Sequence, residues 1–300
     1  MSFNIFNAPV ENLADELFQE KKVSVSVLRL DKIHPVVSGN KLFKLHYFLQ
    51  EAFQSKHKII LTFGGAYSNH LVATAFACQD HALKSIGIVR GERPAQLSSS
   101  LEQCVSYGMQ LRFISRDDYN KKETDSFIND LKKEFGECII IPEGGYHPLG
   151  AKGAALIAEL VKENSYTHIC SATGTATTIA GLLQSFNKKI ISVPVLKGMT
   201  DIKERIDFLN GNNFNNDSLE ILDNYHFGGY AKKTPALIAF MNQLWQQHQL
   251  PTDFVYTAKM FFAIFDSIKN DYFSEGSNLL CLHTGGLQGN NSLPAGTLLF

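Results

Sequence analysis

Short, nearly unbroken apolar runs recur along the chain: Lys58–Thr62, Ser85–Val89, Leu111–Ile114, Cys138–Ile141, His168–Cys170, Lys189–Val193, Leu219–Leu222 and Leu279–Leu282. Runs this short and this apolar are what strands covered on both faces require. Between them lie longer stretches with apolar residues at helical spacing. Ser68 to Gln79 is alanine-rich, and Pro148 to Glu163 carries Leu156, Ile157, Leu160 and Val161. Thr234 to His248 opens on Thr-Pro, an N-cap followed by proline at the first helical position. Strands alternating with helices of this length predict an α/β fold, its sheets mostly parallel and joined by right-handed crossovers.

Certain loops stand out because glycine and hydroxyl residues separate a strand from a helix. They are Thr62-Phe-Gly-Gly-Ala-Tyr-Ser-Asn-His70, Ser171-Ala-Thr-Gly-Thr-Ala-Thr-Thr178 and His283-Thr-Gly-Gly-Leu-Gln-Gly289. In open α/β sheets ligands sit beyond the carboxyl ends of strands, where such loops gather.

Composition narrows the class without changing the fold. The chain has 300 residues, 44% hydrophobic and 19% charged, with Gly 22 and Pro 9, which describes a globular protein able to bury a core. A net charge of −1 leaves no footprint for nucleic acid or an anionic membrane surface. No apolar run approaches the ~20 residues that span a bilayer. The start MSFNIFNAPVENLADEL lacks the apolar segment of a signal peptide. The five cysteines are widely spaced and lie mostly in apolar runs, so they read as buried thiols of a cytoplasmic protein.

The loop Ser171–Thr178 admits two readings. Backbone N–H groups at a helix N-terminus, with threonine hydroxyls beside them, can cradle a phosphate. The same residues also describe a capped helix with β-branched residues in its turn. Neither a dinucleotide fingerprint nor a Walker loop is present. Ser38-Gly-Asn-Lys41-Leu-Phe-Lys44-Leu places two lysines at a helix start, against the favourable sign of the dipole. That setting depresses an amine pKa, as a nucleophilic lysine needs, although most lysines are solvated surface groups. Ser68-Asn69 reads as a capping pair, and no G-x-S-x-G elbow surrounds Ser68. The ten histidines and five cysteines show no H-E-x-x-H or C-x-x-C spacing, so no metal site is expected. Tyr146-His147 reads as a loop pair, and nothing couples Glu92 to Glu143 as acid and base.

Taken together, several motifs resemble the 1-aminocyclopropane-1-carboxylate (ACC) deaminase and D-cysteine desulfhydrase family. They are Ser38-Gly-Asn-Lys41-Leu-Phe-Lys44-Leu, Gly64-Gly-Ala-Tyr-Ser-Asn69, Pro142-Glu-Gly-Gly, Thr173-Gly-Thr-Ala-Thr-Thr178, Phe227-Gly-Gly-Tyr230, Val255-Tyr-Thr-Ala-Lys259 and Thr284-Gly-Gly286. They run in the family's order from about residue 29 to 290. The resemblance implies pyridoxal 5′-phosphate (PLP) as cofactor and a tryptophan-synthase-β-like architecture, PLP fold type II. Lys41 would hold PLP as a Schiff base and then act as base at the substrate Cα. Asn69 would bind the 3′ oxygen of the pyridine. Gly174, Thr175, Ala176, Thr177 and Thr178 would bind the phosphate with help from Lys44, and Thr284 would also line the cofactor. Ser68 would hold the substrate carboxylate or assist proton transfer, with Asn69 and His70 beside it. Tyr230 and Tyr256 would face the substrate. The implied large domain comprises 1–43 and 144–300, and a small mobile domain 44–143 would close over the substrate. A homodimer is expected.

Departures from the family pattern bear on substrate. ACC deaminases have Glu where this chain has Thr257, and Leu where it has Thr284; both changes resemble the D-cysteine desulfhydrase branch. A carboxylate near the pyridine nitrogen favours the protonated ring, the stronger electron sink, and a threonine hydroxyl favours it much less. Opening a cyclopropane needs that strong sink, whereas eliminating a β-thiolate needs less. The phosphate loop carries Ala176-Thr177 where relatives often have two glycines, and Arg29-Leu-Asp31 only loosely resembles a basic–acidic motif of the family. The sequence therefore points to α,β-elimination of D-cysteine to pyruvate, ammonia and hydrogen sulfide. ACC deamination to 2-oxobutyrate and ammonia is the alternative, and a PLP-binding protein without turnover is the non-enzymatic one.

Overall fold

The computed structural model describes residues 7–55, 57–212 and 214–300. Residues 1–6, part of the stretch read above for a signal peptide, lie outside that range. The strands are β1 (Val10–Leu13), β2 (Ser24–Leu28), β3 (Ile59–Gly64), β4 (Lys84–Arg90), β5 (Gln110–Ile114), β6 (Ile139–Ile141), β7 (His168–Thr173), β8 (Lys189–Pro194), β9 (Leu219–Ile221) and β10 (Asn278–Leu282). They form a 6-stranded sheet in the order β1-β2-β10-β7-β8-β9 and a 4-stranded sheet in the order β5-β4-β3-β6. Every pairing is parallel except that of β1 with β2. The α/β fold of mostly parallel sheets flanked by helices is thus borne out.

β1 and β2 were not expected from the apolar runs, and the reason is physical. In β2 serine alternates with valine, as in a half-exposed strand, yet the strand lies inside the sheet between β1 and β10. Ser26 is buried there because its hydroxyl donates to Asn12 Oδ1 at 2.8 Å. β1 is a short antiparallel edge whose alternate residues face solvent.

The larger sheet is covered on both faces. Along β10, Leu280 and Leu282 face one apolar cluster, while Leu279 and Cys281 face another. Each buried leucine contributes about 1.5–3 kcal/mol, which explains the continuous apolar runs. The helix Asn40–Gln54 buries Leu42, Phe43, Leu45, Phe48 and Leu49 in a cluster shared by Ile60 and Ile141 of the smaller sheet and Ile169 and Leu280 of the larger. It also packs closely on the helix Pro148–Ala155: a Cβ at Gly153 would lie 2.0 Å from the Phe43 carbonyl oxygen. The helical stretch expected to reach Glu163 tightens to 3₁₀ over Leu156–Leu160 and stops, since residues 162–165 are exposed and offer no core face.

Two caps match the sequence. Ser68 Oγ accepts the Leu71 N–H at the start of the helix Asn69–Asp80, and Thr234 does the same for Leu237 before Pro235–His248. All five cysteines are buried and unpaired. Among the described residues no helix is long and apolar enough to cross a membrane. β3, β7 and β10 each run at their carboxyl ends into one of the glycine-rich loops, which gathers these loops around the start of the helix Asn40–Gln54.

Candidate active site

The amines come first because the backbone forces them inward. Gly39 caps the helix Asn40–Gln54 at φ +72°, and a Cβ there would lie 1.9 Å from the Thr284 carbonyl oxygen. Only glycine permits that approach. It locks the start of the lysine helix against the loop after β10, with the Asn40 N–H donating to Thr284 O at 3.4 Å. Lys41 and Lys44 follow three residues apart, on one helix face. Lys44 Nζ donates to the Gly144 carbonyl at 3.3 Å, and burial together with Lys41 lowers its pKa to about 7. Burial also lowers Lys41, opposed by the negative charge of Asp253. The Lys41 ammonium stands 5.6 Å from the centre of the Tyr256 ring, a cation–π distance.

The loop after β7 closes one side. Ala176 adopts the left-handed conformation at φ +65° and precedes the helix Thr177–Ser185, whose start has no side-chain cap. Its first-turn N–H groups have no acceptor within the helix. Thr175 and Thr177 hydroxyls lie 2.9 Å apart, and the Thr178 hydroxyl accepts from Asn40 Nδ2 at 2.8 Å, leaving its own proton to donate. The turn Glu143–Gly145 joins loop to lysine: a Cβ at Gly144 would lie 2.9 Å from Thr175 Cγ2, and Gly144 O receives Lys44. A Cβ at Gly174 would lie 3.1 Å from Tyr256, so that ring covers the opening of the loop.

Ser68 and Asn69 approach from the smaller sheet. Asn69 Nδ2 donates to Gly286 O at 3.3 Å, and its Oδ1 is buried without a partner. His70, expected at the substrate, turns its ring into the core instead. The Thr62 hydroxyl donates to Ile141 O at 2.8 Å, so it accepts from His70 Nε2, 2.9 Å away. Burial, with Lys44 and Lys41, lowers the His70 pKa to about 3 and keeps the ring neutral. The Thr62 contact occupies Nε2 alone, so Nδ1, buried without a partner, and the backbone N–H of the helix start are left for a ligand.

Tyr230 and Tyr256 meet edge-to-face with ring centres 6.1 Å apart, and burial raises both phenols. Behind Tyr256 sits a residue the sequence reading missed. Asp253 is fully buried; its Oδ2 accepts from the Val255 and Tyr256 amides, and its Oδ1 from the Thr257 amide and hydroxyl. It thereby caps the helix Thr257–Lys269 and supplies the buried negative charge facing Lys41. Asp253 lies four residues before the first helical residue, outside the N-cap position that sequence rules recognise, which is why a sequence reading misses it.

The comparisons agree with this geometry. A family model described as pyridoxal-phosphate dependent enzyme matches residues 1–285. The chain belongs to that family. A curated relative from Thermotoga maritima, named "Putative 1-aminocyclopropane-1-carboxylate deaminase", is 30% identical over 94% of both chains. A bifunctional D-cysteine desulfhydrase/1-aminocyclopropane-1-carboxylate deaminase of Arabidopsis thaliana is 28% identical over 84% of this chain and 70% of its own length. A solved structure of an ACC deaminase homologue superposes with a TM-score of 0.80 at 23% identity, covering 96% of this chain and 92% of the other. The fold is therefore tryptophan-synthase-β-like, and the protein is a PLP-dependent enzyme of the ACC deaminase/D-cysteine desulfhydrase family.

The residues present fit PLP. Two amines face one site, and the Lys44 pKa of about 7 records the cost of its burial and of Lys41 beside it. A phosphate between Lys44 and the uncapped start of Thr177–Ser185 would relieve it. The Asn69 carboxamide has a spare N–H and an unpartnered oxygen, which an aromatic hydroxyl can serve at once as acceptor and donor.

Proposed function

We propose that this enzyme eliminates thiolate from D-cysteine, and that the pair Asp253–Thr257 carries the preference. Asp253 already receives four hydrogen bonds, which fills the roughly four acceptor sites of a carboxylate. The single Thr257 proton is given to Asp253 at 2.7 Å. The pair thus offers a pyridine nitrogen neither an acid nor a free carboxylate. A weak electron sink suffices when the leaving group carries the electrons away, and fails when a strained carbon ring must be opened.

PLP, when bound, supplies the acceptor for the electron pair of the broken Cα–H bond. Lys41 is the amine that would hold its aldehyde carbon. Lys41 Nζ would also be the group that takes the substrate Cα proton, and its lowered pKa leaves the needed neutral form accessible. Lys44, Thr175, Thr177, Thr178 and the amides from Gly174 to Thr178 hold the phosphate. Asn69 holds the aromatic oxygen, and Thr284 closes the cofactor side. Ser68 and the amides of Asn69 and His70 receive the substrate carboxylate at the helix N-terminus. Tyr256 and Tyr230, kept as neutral phenols, face the leaving sulfur and donate to it. The products are hydrosulfide and aminoacrylate, which hydrolyses to pyruvate and ammonia.

The reading includes a small domain, 44–143, closing on a large one formed by 1–43 and 144–300, with a homodimer working in the cytosol. Buried free thiols suit that compartment. Light scattering on the purified enzyme tests the dimer, and a monomer at assay concentration refutes it. ACC is the second substrate reading, favoured by the names of the relatives. The deciding experiment loads the enzyme with PLP and supplies D-cysteine and ACC separately. Pyruvate with sulfide from D-cysteine supports elimination, and 2-oxobutyrate from ACC alone would overturn it. Lys41→Ala should lose turnover and the visible absorbance band of lysine-bound cofactor; a protein that keeps that band yet turns over neither compound is a binding protein.

A further inference from the structure

We propose that Lys259 is a positioning residue, an internal cation that clamps the loop carrying Tyr230 so that this phenol stands over the site. The proposal rests on the reading above for what Tyr230 does, and on geometry alone for how it is held. Lys259 is entirely buried. Its Nζ donates to Gly229 O at 2.7 Å and to His226 O at 2.9 Å, the two carbonyls that bracket the turn before Tyr230. Among the described residues it forms no ion pair. A lysine that merely covered apolar surface would extend its amine to water; this one commits its charge to one loop.

The loop needs such a clamp. Phe227 lies at φ +52°, Gly228 at +93°, Gly229 at +117° and Ala231 at +53°. Left-handed backbone at phenylalanine and alanine persists only where surrounding structure imposes it. Tyr230 itself is a half-exposed anchor, 47% exposed as a residue with its ring edge-to-face on Tyr256, and it does not by itself hold the backbone on either side. Lys259 is the link: it lies in the first turn of the helix Thr257–Lys269, directly after Tyr256. One helix therefore sets both phenols, Tyr256 through the backbone and Tyr230 through the ammonium. Asp253, which caps that helix, also offsets the Lys259 charge, and burial otherwise lowers the pKa to about 8.

Lys259→Met keeps the length and removes the donors. In the full-length, PLP-loaded enzyme, amide hydrogen exchange over 227–231 should rise about tenfold or more, with the core helices unchanged. Cofactor titration should stay within about threefold of wild type, while kcat/KM falls about tenfold or more. Adding Tyr230→Phe to Lys259→Met should then cost under about twofold further, since the two changes remove one function. Lys259→Gln, neutral but with two donors, should restore part of the loop protection. Unchanged exchange, fully additive losses, or a loss confined to PLP binding would each overturn the clamp. If Lys259→Met does not fold, Lys259→Gln decides by the same measurements; if neither folds, Lys259 serves the core and the proposal falls. A wild-type enzyme inactive on both D-cysteine and ACC would sink the functional reading, while the exchange result still decides the clamp.

Discussion

The Thr257 hydroxyl holds Asp253 twice: it donates to Asp253 Oδ1 at 2.7 Å and accepts the Asp253 N–H at 2.8 Å. Thr257→Val keeps the shape and loses both bonds. A hydrogen bond to a buried charged group is worth about 1.5–3 kcal/mol, so denaturant unfolding should show a loss of that order. The ratio of D-cysteine to ACC turnover should shift toward ACC, because Asp253 Oδ1 loses one of the four donors that occupy the carboxylate. Thr257→Glu sets a second carboxylate beside a buried one and should destabilise more. A Thr257→Glu variant as stable as wild type would contradict this account.

Lys44 makes stability depend on pH. Its pKa is lowered from 10.5 to about 7 in the folded protein without phosphate. Between those values the unfolded chain holds a proton that the folded protein has released, so unfolding takes up a proton and stability rises with pH. Below pH 7 both states are charged and the penalty is present in full, on the order of 5 kcal/mol from the size of the shift. Lys259, lowered to about 8, adds to the same slope. The difference between wild type and Lys44→Met therefore isolates Lys44. Melting curves of cofactor-free protein from neutral to alkaline pH should climb for wild type and climb less for Lys44→Met. Inorganic phosphate should raise the neutral-pH melting point of wild type and flatten the climb.

His70 gives the acid-side counterpart. Its pKa is lowered from 6.5 to about 3, so the ring stays neutral when folded and takes a proton when unfolded. Stability falls as pH drops through that window. His70→Asn should shallow the fall, and an unchanged acid limb would mean that the ring is not held as described.

How much of this was legible in the sequence depended on distance along the chain. Strands buried on both faces announced themselves as apolar runs, and Ser68 and Thr234 announced their helices as caps. β2 did not, because its Ser26 is satisfied by Asn12 only once the sheet has formed. The glycine and hydroxyl loops marked the site, since their chemistry is local. Gly39 shows why the rest was hidden: it must be glycine because Thr284, far along the chain, places its carbonyl there. His70 could be placed beside Ser68 by sequence, but not the direction of its ring, which Thr62 and Ile141 decide. Lys259 reaches carbonyls 30 and 33 residues away, and no spacing rule encodes that.

Gly39 also gives a sharp mutational test. Gly39→Ala would set a Cβ 1.9 Å from Thr284 O on backbone at φ +72°. Neither atom is the end of a flexible side chain, so backbone must move on both sides. The strain and the displaced loop should together cost about 3 kcal/mol or more. Because Lys41 lies two residues further on, PLP titration should show weaker formation of the visible band even where the variant remains folded. Wild-type titration and wild-type stability together would mean that the approach of Gly39 to Thr284 is not what places Lys41.

Ala176 predicts a change in the opposite direction. It is an alanine at φ +65°, a conformation that costs an L-residue about 1–2 kcal/mol. Glycine carries no such penalty but loses more entropy on folding, by roughly 0.5–1 kcal/mol. Ala176 is buried, so removing its methyl also forfeits some packing. These terms nearly cancel, and Ala176→Gly should leave the melting temperature of cofactor-free protein within a few degrees of wild type. Its effect should appear on the anion instead. Without a Cβ the loop can bring its amides closer to a phosphate, so inorganic phosphate should stabilise Ala176→Gly more than it stabilises wild type. Melting curves across a phosphate titration check this. A smaller stabilisation in the variant would show that the left-handed alanine already holds the amides at their best, and that the departure from a double glycine is no handicap.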